Sequence, residues 1–236
     1  MPSDPTQAEP IRWCVLLPSY QEGGRIGKTV KAVLPYGPDV VVVDDGSTDG
    51  TASEAATSGA IVVPHAKNMG KGVALQTGFK HVMDAGYDCV VTMDGDGQHA
   101  PEDLPGFLEA YRASGAQVVV GNRMSDPRTM PLVRRLTNRF MSWVLSRRMG
   151  QHVPDTQNGY RLYAREVLPI LLGTVSEGFA AESEVLLDLA DAGEQIASAP
   201  TRIIYGDETS KIRPFRDALK FFNMLLRHKS GKGKQT

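Results

Sequence analysis

The sequence predicts an α/β fold with a mostly parallel central sheet flanked by helices. Two observations lead there. Short, nearly continuous Val/Ile/Leu runs recur in "RWCVLLPSY", "DVVVVDDGS", "AIVVPHAKN", "DCVVTMDGD" and "AQVVVGNRM", each giving way to a polar turn. Runs without apolar/polar alternation are what strands covered on both faces require. Between them, apolar residues return at helical spacing, and strands alternating with helices build parallel sheets.

Taken in order, the first run leads into Ile26, Val30 and Val33/Leu34, one face of a crossover helix. After the third run, Val73, Leu75, Phe79 and Val82/Met83 predict a second crossover helix. Ligands of open α/β sheets bind at the carboxyl ends of the strands. That is where "PSYQE", "DDGSTDGT", "HAKNMGKG", "DGDGQ" and "GNR" fall. The second half is less regular. It offers a helical stretch from Leu132 to Met149, then "DTQNGYRLY", a helix near "AAESEVLLDLADAG" and a strand-like "QIASAPTRIIY". No repeat or long linker divides the chain. The expected organisation is a disordered segment 1–10, one domain over 11–228 and a basic flexible tail 229–236.

Composition excludes several classes. With 26 Lys/Arg against 27 Asp/Glu the formal net charge is -1, so there is no global nucleic-acid signature. Cys14 and Cys89 sit inside apolar runs, outside any CxxC or Cys/His spacing. This argues against a disulfide framework or a zinc site and predicts buried thiols in a reducing cytoplasm. The start "MPSDPTQAEP" lacks the basic-then-apolar order of a signal peptide, and no run reaches the roughly eighteen apolar residues of a spanning helix.

The chemistry concentrates in "VVTMDGDGQHAPEDL", where Asp94, Asp96, Gln98 and His99 follow an apolar run, separated by Gly95 and Gly97. Two carboxylates one residue apart on a turn leaving a buried strand suit a hard divalent cation, and the glycines permit close backbone approach. An EF-hand is excluded: the sixth residue from Asp94 is His99, and the twelfth from Asp45 is Ala56. For either Asp/Gly segment the plain alternative is a turn that only reverses the chain. No G-x-G-x-x-G follows the first run and no P-loop signature is present. In "NMGKGVALQTG", Lys71 either begins a helix or faces a phosphate beside nearby amides.

Together, "LLPSYQE", "VVVDDGSTDGT", "NMGKGVALQTG", "MDGDGQHAPEDL", "GNR", "DTQNGYRLY", "AAESEVLLDLADAG" and "YGDETSKIRP" resemble, in content and order, the family 2 glycosyltransferases. The likeness is nearest to the dolichyl-phosphate mannosyltransferase and polyprenyl-phosphate glycosyltransferase branch and runs from Ile11 to about Phe222. It implies a GT-A nucleotide-diphospho-sugar transferase fold, with a nucleotide-sugar-binding half over 11–123 and an acceptor-side half over 124–228. The implied reaction is metal-dependent, inverting transfer of mannose or glucose from a GDP- or UDP-linked donor to a polyprenyl or dolichyl phosphate.

By this resemblance Pro18, Tyr20 and Glu22 line the base and ribose pocket, and Asp45 with Asp44 meets the nucleoside. Lys71 and Asp94 belong to the donor site, and Asp94, Asp96 and Gln98 hold Mg²⁺ or Mn²⁺, with Asp96 the surer ligand. Arg123 faces a donor or acceptor phosphate; Arg202, Ser210 and Lys211 hold the acceptor phosphate. A metal on the diphosphate supplies the charge neutralisation that this leaving group needs. Asp155 is the delicate position: relatives that glycosylate a hydroxyl use an aspartate near it as general base, whereas an ionised phosphate needs little proton removal. Asp155 then orients rather than abstracts; its plain structural alternative is capping or a salt bridge to Arg161. Glu182 and Glu184 fall on an amphipathic helix, where solvated glutamates are the default.

Toward the C-terminus, Phe215, Leu219, Phe222, Leu225 and Leu226 recur at helical spacing among Arg213, Arg216, Lys220, Arg227, Lys229, Lys232 and Lys234. The pattern reads as a basic amphipathic helix on a membrane surface, placing the protein peripherally at the cytoplasmic face. The alternatives are a membrane partner that supplies the docking, or a helix packed on the core before a solubilising tail. Two other functions compete: a soluble transferase acting on a saccharide or small-molecule hydroxyl with Asp155 as base, and a nucleotide-sugar-binding subunit without turnover.

Overall fold

The computed structural model describes residues 10–95, 97–126, 130–173, 181–202, 204, 221 and 223–228. Seven strands, β1 (Trp13–Ser19), β2 (Asp39–Asp44), β3 (Ile61–Pro64), β4 (Cys89–Thr92), β5 (Val118–Asn122), β6 (Arg161–Ala164) and β7 (Ile196–Pro200), form one sheet. Its order is β3-β2-β1-β4-β6-β5-β7, with every pairing parallel except those of β6, which runs antiparallel to both β4 and β5. Helices α1 (Ile26–Val33), α2 (Thr51–Thr57), α3 (Lys71–Ala85), α4 (Leu104–Ser114), α5 (Leu132–Met149), α6 (Leu168–Gly173) and α7 (Ala181–Asp191) accompany it.

The five apolar runs are the five strands expected of them. The addition is β6, from "DTQNGYRLY", which enters between β4 and β5 so that the sheet draws on both halves of the chain. All four β6 residues are buried, Arg161 included. A charged residue inside a four-residue strand hides the apolar run that would announce it.

Side chains alternate across β1: Cys14 and Leu16 join Val41, Val43 and Phe79 on one face, while Val15 and Leu17 join Ile26, Val30 and Phe107 on the other. Both cysteines are free and buried; burial pushes the Cys89 thiol up to about 12 and the Cys14 thiol higher, so neither is a reactive thiolate. A third cluster joins Met141 and Leu145 of α5 to Leu187 of α7 and to Phe221 and Met224. Of the C-terminal alternatives, core packing is what the described residues show: residues 221 and 223–228 are helical, and Phe221, Met224 and, in part, Leu225 face the core. Leu226 remains exposed; Phe215, Leu219 and Phe222 lie outside the described residues. Among the described residues no helix is long and apolar enough to cross a membrane.

Where β2 ends, Asp45 ties the sheet to the loop that starts α3. Its carboxylate accepts from the amides of Met69 (2.8 Å) and Gly70 (2.7 Å) and from His65 Nδ1 (2.7 Å). The His65 Nε2 contacts Thr77 Oγ1 at 3.0 Å, carrying the network into α3. Burial pushes the Asp45 carboxyl up, but His65 and the two amides outweigh it and hold the group below the ordinary aspartate range.

Two outcomes follow from this packing. A carboxyl depressed in the native state contributes stability above its unfolded value of about 3.9 and loses it as pH falls through the lower native value. Urea unfolding as a function of pH should therefore weaken on acidification below about 4, and Asp45→Asn should flatten that limb while costing on the order of 2 kcal/mol at neutral pH. Gly78 on α3 packs flush on β1, so an added Cβ would run into the buried Leu16 side chain. Gly78→Ala should lower the unfolding free energy by about 1–3 kcal/mol in the same titration.

Candidate active site

The carboxyl ends of β1, β2 and β4 and the start of α3 enclose an open cavity of about 330 Å³. Pro18, Tyr20, Glu22, Asp45, Lys71 and Asp94 all line it, with Ser19, Asn68 and Gly95. Asp44 does not. It is buried behind the turn, where its Oδ1 accepts from the Ser47 amide. Asp45 reaches the cavity wall with its carboxylate already engaged by His65, Met69 and Gly70. Both aspartates thus shape the β2 turn. Gly46 is needed there: its φ is +75°, and any Cβ would strike the Lys67 backbone.

Asp94 leaves β4 into the Asp/Gly turn. Its amide donates to His99 Nδ1 (3.1 Å), and the His99 ring stacks on Tyr160 with centroids 4.8 Å apart. Tyr160 is held in turn by its hydroxyl, which donates to the Ala100 carbonyl. At Gly95 a Cβ would approach Ser19 Oγ to 2.7 Å, so the turn lies flat against the end of β1.

The Asp94 carboxylate faces Lys71 Nζ at 2.6 Å, and the same ammonium lies 3.5 Å from Glu182 Oε1. Burial works to lower the Lys71 pKa, but the two carboxylates hold it above the usual lysine range. Burial likewise opposes ionisation of Asp94, and the charge and hydrogen bond of Lys71, with the charge of Arg123, outweigh it. The ammonium stands where a cation is favoured, which tests the fit of a metal on geometry. Hard oxygen donors face a cation at this turn, as Mg²⁺ or Mn²⁺ requires. No group of three His, Cys, Asp or Glu suited to a metal forms among the described residues. A complete site at this turn therefore calls on Asp96, which lies outside them, or on the amide oxygen of Gln98.

Arg123, at the end of β5, is bound to Asp155 by three contacts. Its Nε and Nη2 donate to the two carboxylate oxygens at 2.7 and 2.8 Å, and its amide donates to Oδ2 at 3.1 Å. Asp155 is 0% exposed. The alternative of a salt bridge to Arg161 is not formed: that guanidinium donates instead to the carbonyls of Asn158, Thr156 and Glu182. Arg202 follows β7, whose Pro200 is paired with Asn122, and its backbone N–H, Nε and Nη2 donate to Asp103 at 2.7 to 2.9 Å. Ser210 and Lys211 lie outside the described residues.

Glu182 was expected in solvent and is found at the cavity's edge beside Lys71. Its helix gives no signal of this, since the contact depends on Gly159, where a Cβ would lie 2.9 Å from Glu182 Oε1. Glu184 is half-buried, and burial beside Asp188 raises its pKa.

Three comparisons bear on this geometry. Residues 14–171 match the family model "Glycosyl transferase family 2". The chain is 33% identical over 211 residues to the polyprenol monophosphomannose synthase of Mycolicibacterium smegmatis, covering 84% of this chain and 79% of that one. It is 28% identical over 242 residues to the UDP-N-acetylglucosamine–dolichyl-phosphate N-acetylglucosaminyltransferase of Methanococcus voltae, covering 92% and 96%. Its fold is like that of glucosyl-3-phosphoglycerate synthase from Mycobacterium tuberculosis, with a TM-score of 0.71 at 22% identity over 92% of this chain and 80% of that one. That enzyme has also been solved with Mn²⁺ and UDP (TM-score 0.66). The strand-end cavity, the Asp/Gly turn and a family match over well more than half the chain lead to one statement: the chain is a glycosyltransferase and belongs to glycosyl transferase family 2.

Proposed function

We propose that this glycosyltransferase moves mannose or glucose from a GDP- or UDP-linked donor to a polyprenyl phosphate, with inversion at the anomeric carbon and with Mg²⁺ or Mn²⁺. The observation that carries the choice of acceptor is the enclosure of Asp155. With no exposed surface and both oxygens bound by Arg123, it is poorly placed to take a proton from an incoming hydroxyl. A phosphate monoester needs no base, since its second pKa is about 6. The names of the polyprenol and dolichyl-phosphate relatives support the same choice.

In this reading the donor lies in the strand-end cavity, with its base and ribose against Pro18, Tyr20 and Glu22. Asp94, Asp96 and Gln98 hold the divalent ion, as the Mn²⁺ and UDP bound by a protein of the same fold encourage. When bound, it neutralises the charge that develops on the diphosphate leaving group. Lys71 faces the same phosphates from the start of α3. Asp155 fixes the guanidinium of Arg123, which offers positive charge to a phosphate beside β5; Arg202, Ser210 and Lys211 complete the acceptor side. An acceptor phosphate oxygen attacks the anomeric carbon, the bond from that carbon to the diphosphate oxygen breaks, and the nucleoside diphosphate leaves with the electron pair. The enzyme works peripherally at the cytoplasmic face of the membrane that holds the acceptor.

Radiolabel transfer from GDP-mannose and, separately, UDP-glucose into a short polyprenyl phosphate tests the reading, with and without Mg²⁺ or Mn²⁺. Labelled lipid should form from one donor, disappear with EDTA, and fall at least about a hundredfold in Asp96→Ala. Metal-dependent donor hydrolysis with label passing only to hydroxyl acceptors would replace the lipid phosphate. Donor binding with no turnover on any acceptor would leave a binding subunit.

A further inference from the structure

Five of the ten large apolar side chains that are exposed among the described residues lie on α5, none of whose residues lines the strand-end cavity. At about 100° per residue, Leu132, Val133, Leu136, Phe140 and Trp143 fall within an arc of about 100°. Each of the five is between 51% and 66% exposed. The opposite face, Asn138, Met141, Ser142 and Leu145, is buried, with Met141 and Leu145 against Leu187, Phe221 and Met224. The helix is therefore already packed on its inner side, and its outer stripe is additional.

Charge decides what covers that stripe. Residues 132–149 contain no Asp or Glu and five arginines. Of these, Arg135, Arg139 and Arg147 have no carboxylate partner among the described residues. Arg147 stands over the Trp143 ring at 5.6 Å. Arg135, Arg139 and His152 also line a groove of about 670 Å³ along the helix flank, beginning at Met124, the residue after Arg123. A second copy in a two-fold pairing would set these arginines against themselves, and the tail 229–236 is itself basic. An anionic bilayer meets both demands: an acyl boundary for Leu, Val, Phe and Trp, and phosphates for the arginines.

We propose that α5 lies in the interface of an anionic membrane, with Leu136, Phe140 and Trp143 entering the headgroup boundary and Arg135 and Arg139 on lipid phosphates. The inference rests on the reading that the acceptor is a membrane-held polyprenyl phosphate, and it moves the membrane contact from the C-terminal helix to α5. The full chain is tested by sedimentation with vesicles of phosphatidylglycerol and phosphatidylcholine, and with phosphatidylcholine alone. Wild type should bind the anionic vesicles preferentially. Leu136→Glu/Phe140→Glu and Arg135→Glu/Arg139→Glu should each weaken binding by about tenfold or more. Circular dichroism should be unchanged, and a Lys229→Ala/Lys232→Ala/Lys234→Ala tail variant should bind nearly as wild type.

Leu136→Glu/Phe140→Glu should also keep transfer to a water-soluble short-chain acceptor while losing transfer to acceptor embedded in vesicles. Wild-type binding to anionic vesicles by both folded α5 variants would overturn the proposal, as would binding lost only in the tail variant. So would a dimer in solution that Leu136→Glu/Phe140→Glu dissociates. Vesicle binding that follows α5 without any labelled lipid product would keep the docking face and reject the acceptor.

Discussion

Residues 155–161 run through the interior carrying Asp155, Thr156, Gln157, Asn158 and Arg161, all buried. Burying such side chains is unfavourable unless each is paired, and an isolated buried charge is the most costly case. The Arg123–Asp155 pair meets the largest of these demands. Around it, Thr156 bonds Ser142 of α5, Asn158 bonds the Gly121 carbonyl of β5, and Arg161 gathers the carbonyls of Thr156, Asn158 and Glu182. One polar segment thereby fixes α5, β5, β6 and the start of α7 relative to one another. The arrangement admits few alternatives, because moving any of these elements strands a charge or an amide.

The same segment links fold to chemistry. It seats β6 between β4 and β5, bringing Gly159 beside Glu182 and Lys71 at the edge of the cavity. It also immobilises Arg123 at the strand ends. Under the proposed function, a guanidinium held in this way would need little reorganisation to serve an incoming phosphate, as preorganised charge requires. At the cavity, Asp45 makes the connection between β2 and α3. The cavity is thus lined by one carboxylate that is structurally occupied, Asp45, and by another, Asp94, that faces the Lys71 ammonium.

Much of this was legible in the sequence because parallel strands buried on both faces write long apolar runs. The runs "VLL", "VVVV" and "VVT" locate β1, β2 and β4 directly, and the polar residues after them locate the cavity. What stayed hidden is long-range. β6 contains an arginine whose burial makes sense only once the carbonyls around it are known. Glu182 looks solvated on its own helix and meets Lys71 only through the fold. For Asp155 the sequence offers only a near neighbour, Arg161, as an alternative ion-pair partner, whereas its partner Arg123 is 32 residues away in the chain. Periodicity also marked a helix at 132–149 without showing which face would stay uncovered, since that depends on what α7 and the C-terminal residues bury.

The most direct test of the central claim is a double-mutant cycle on Arg123 and Asp155, read by chemical denaturation. If the buried pair organises the segment, Asp155→Asn and Arg123→Met should each cost about 3–5 kcal/mol, and the double variant far less than their sum, because neither charge is then left alone. Two small, additive losses would contradict the account and return Asp155 to the candidates for a catalytic base.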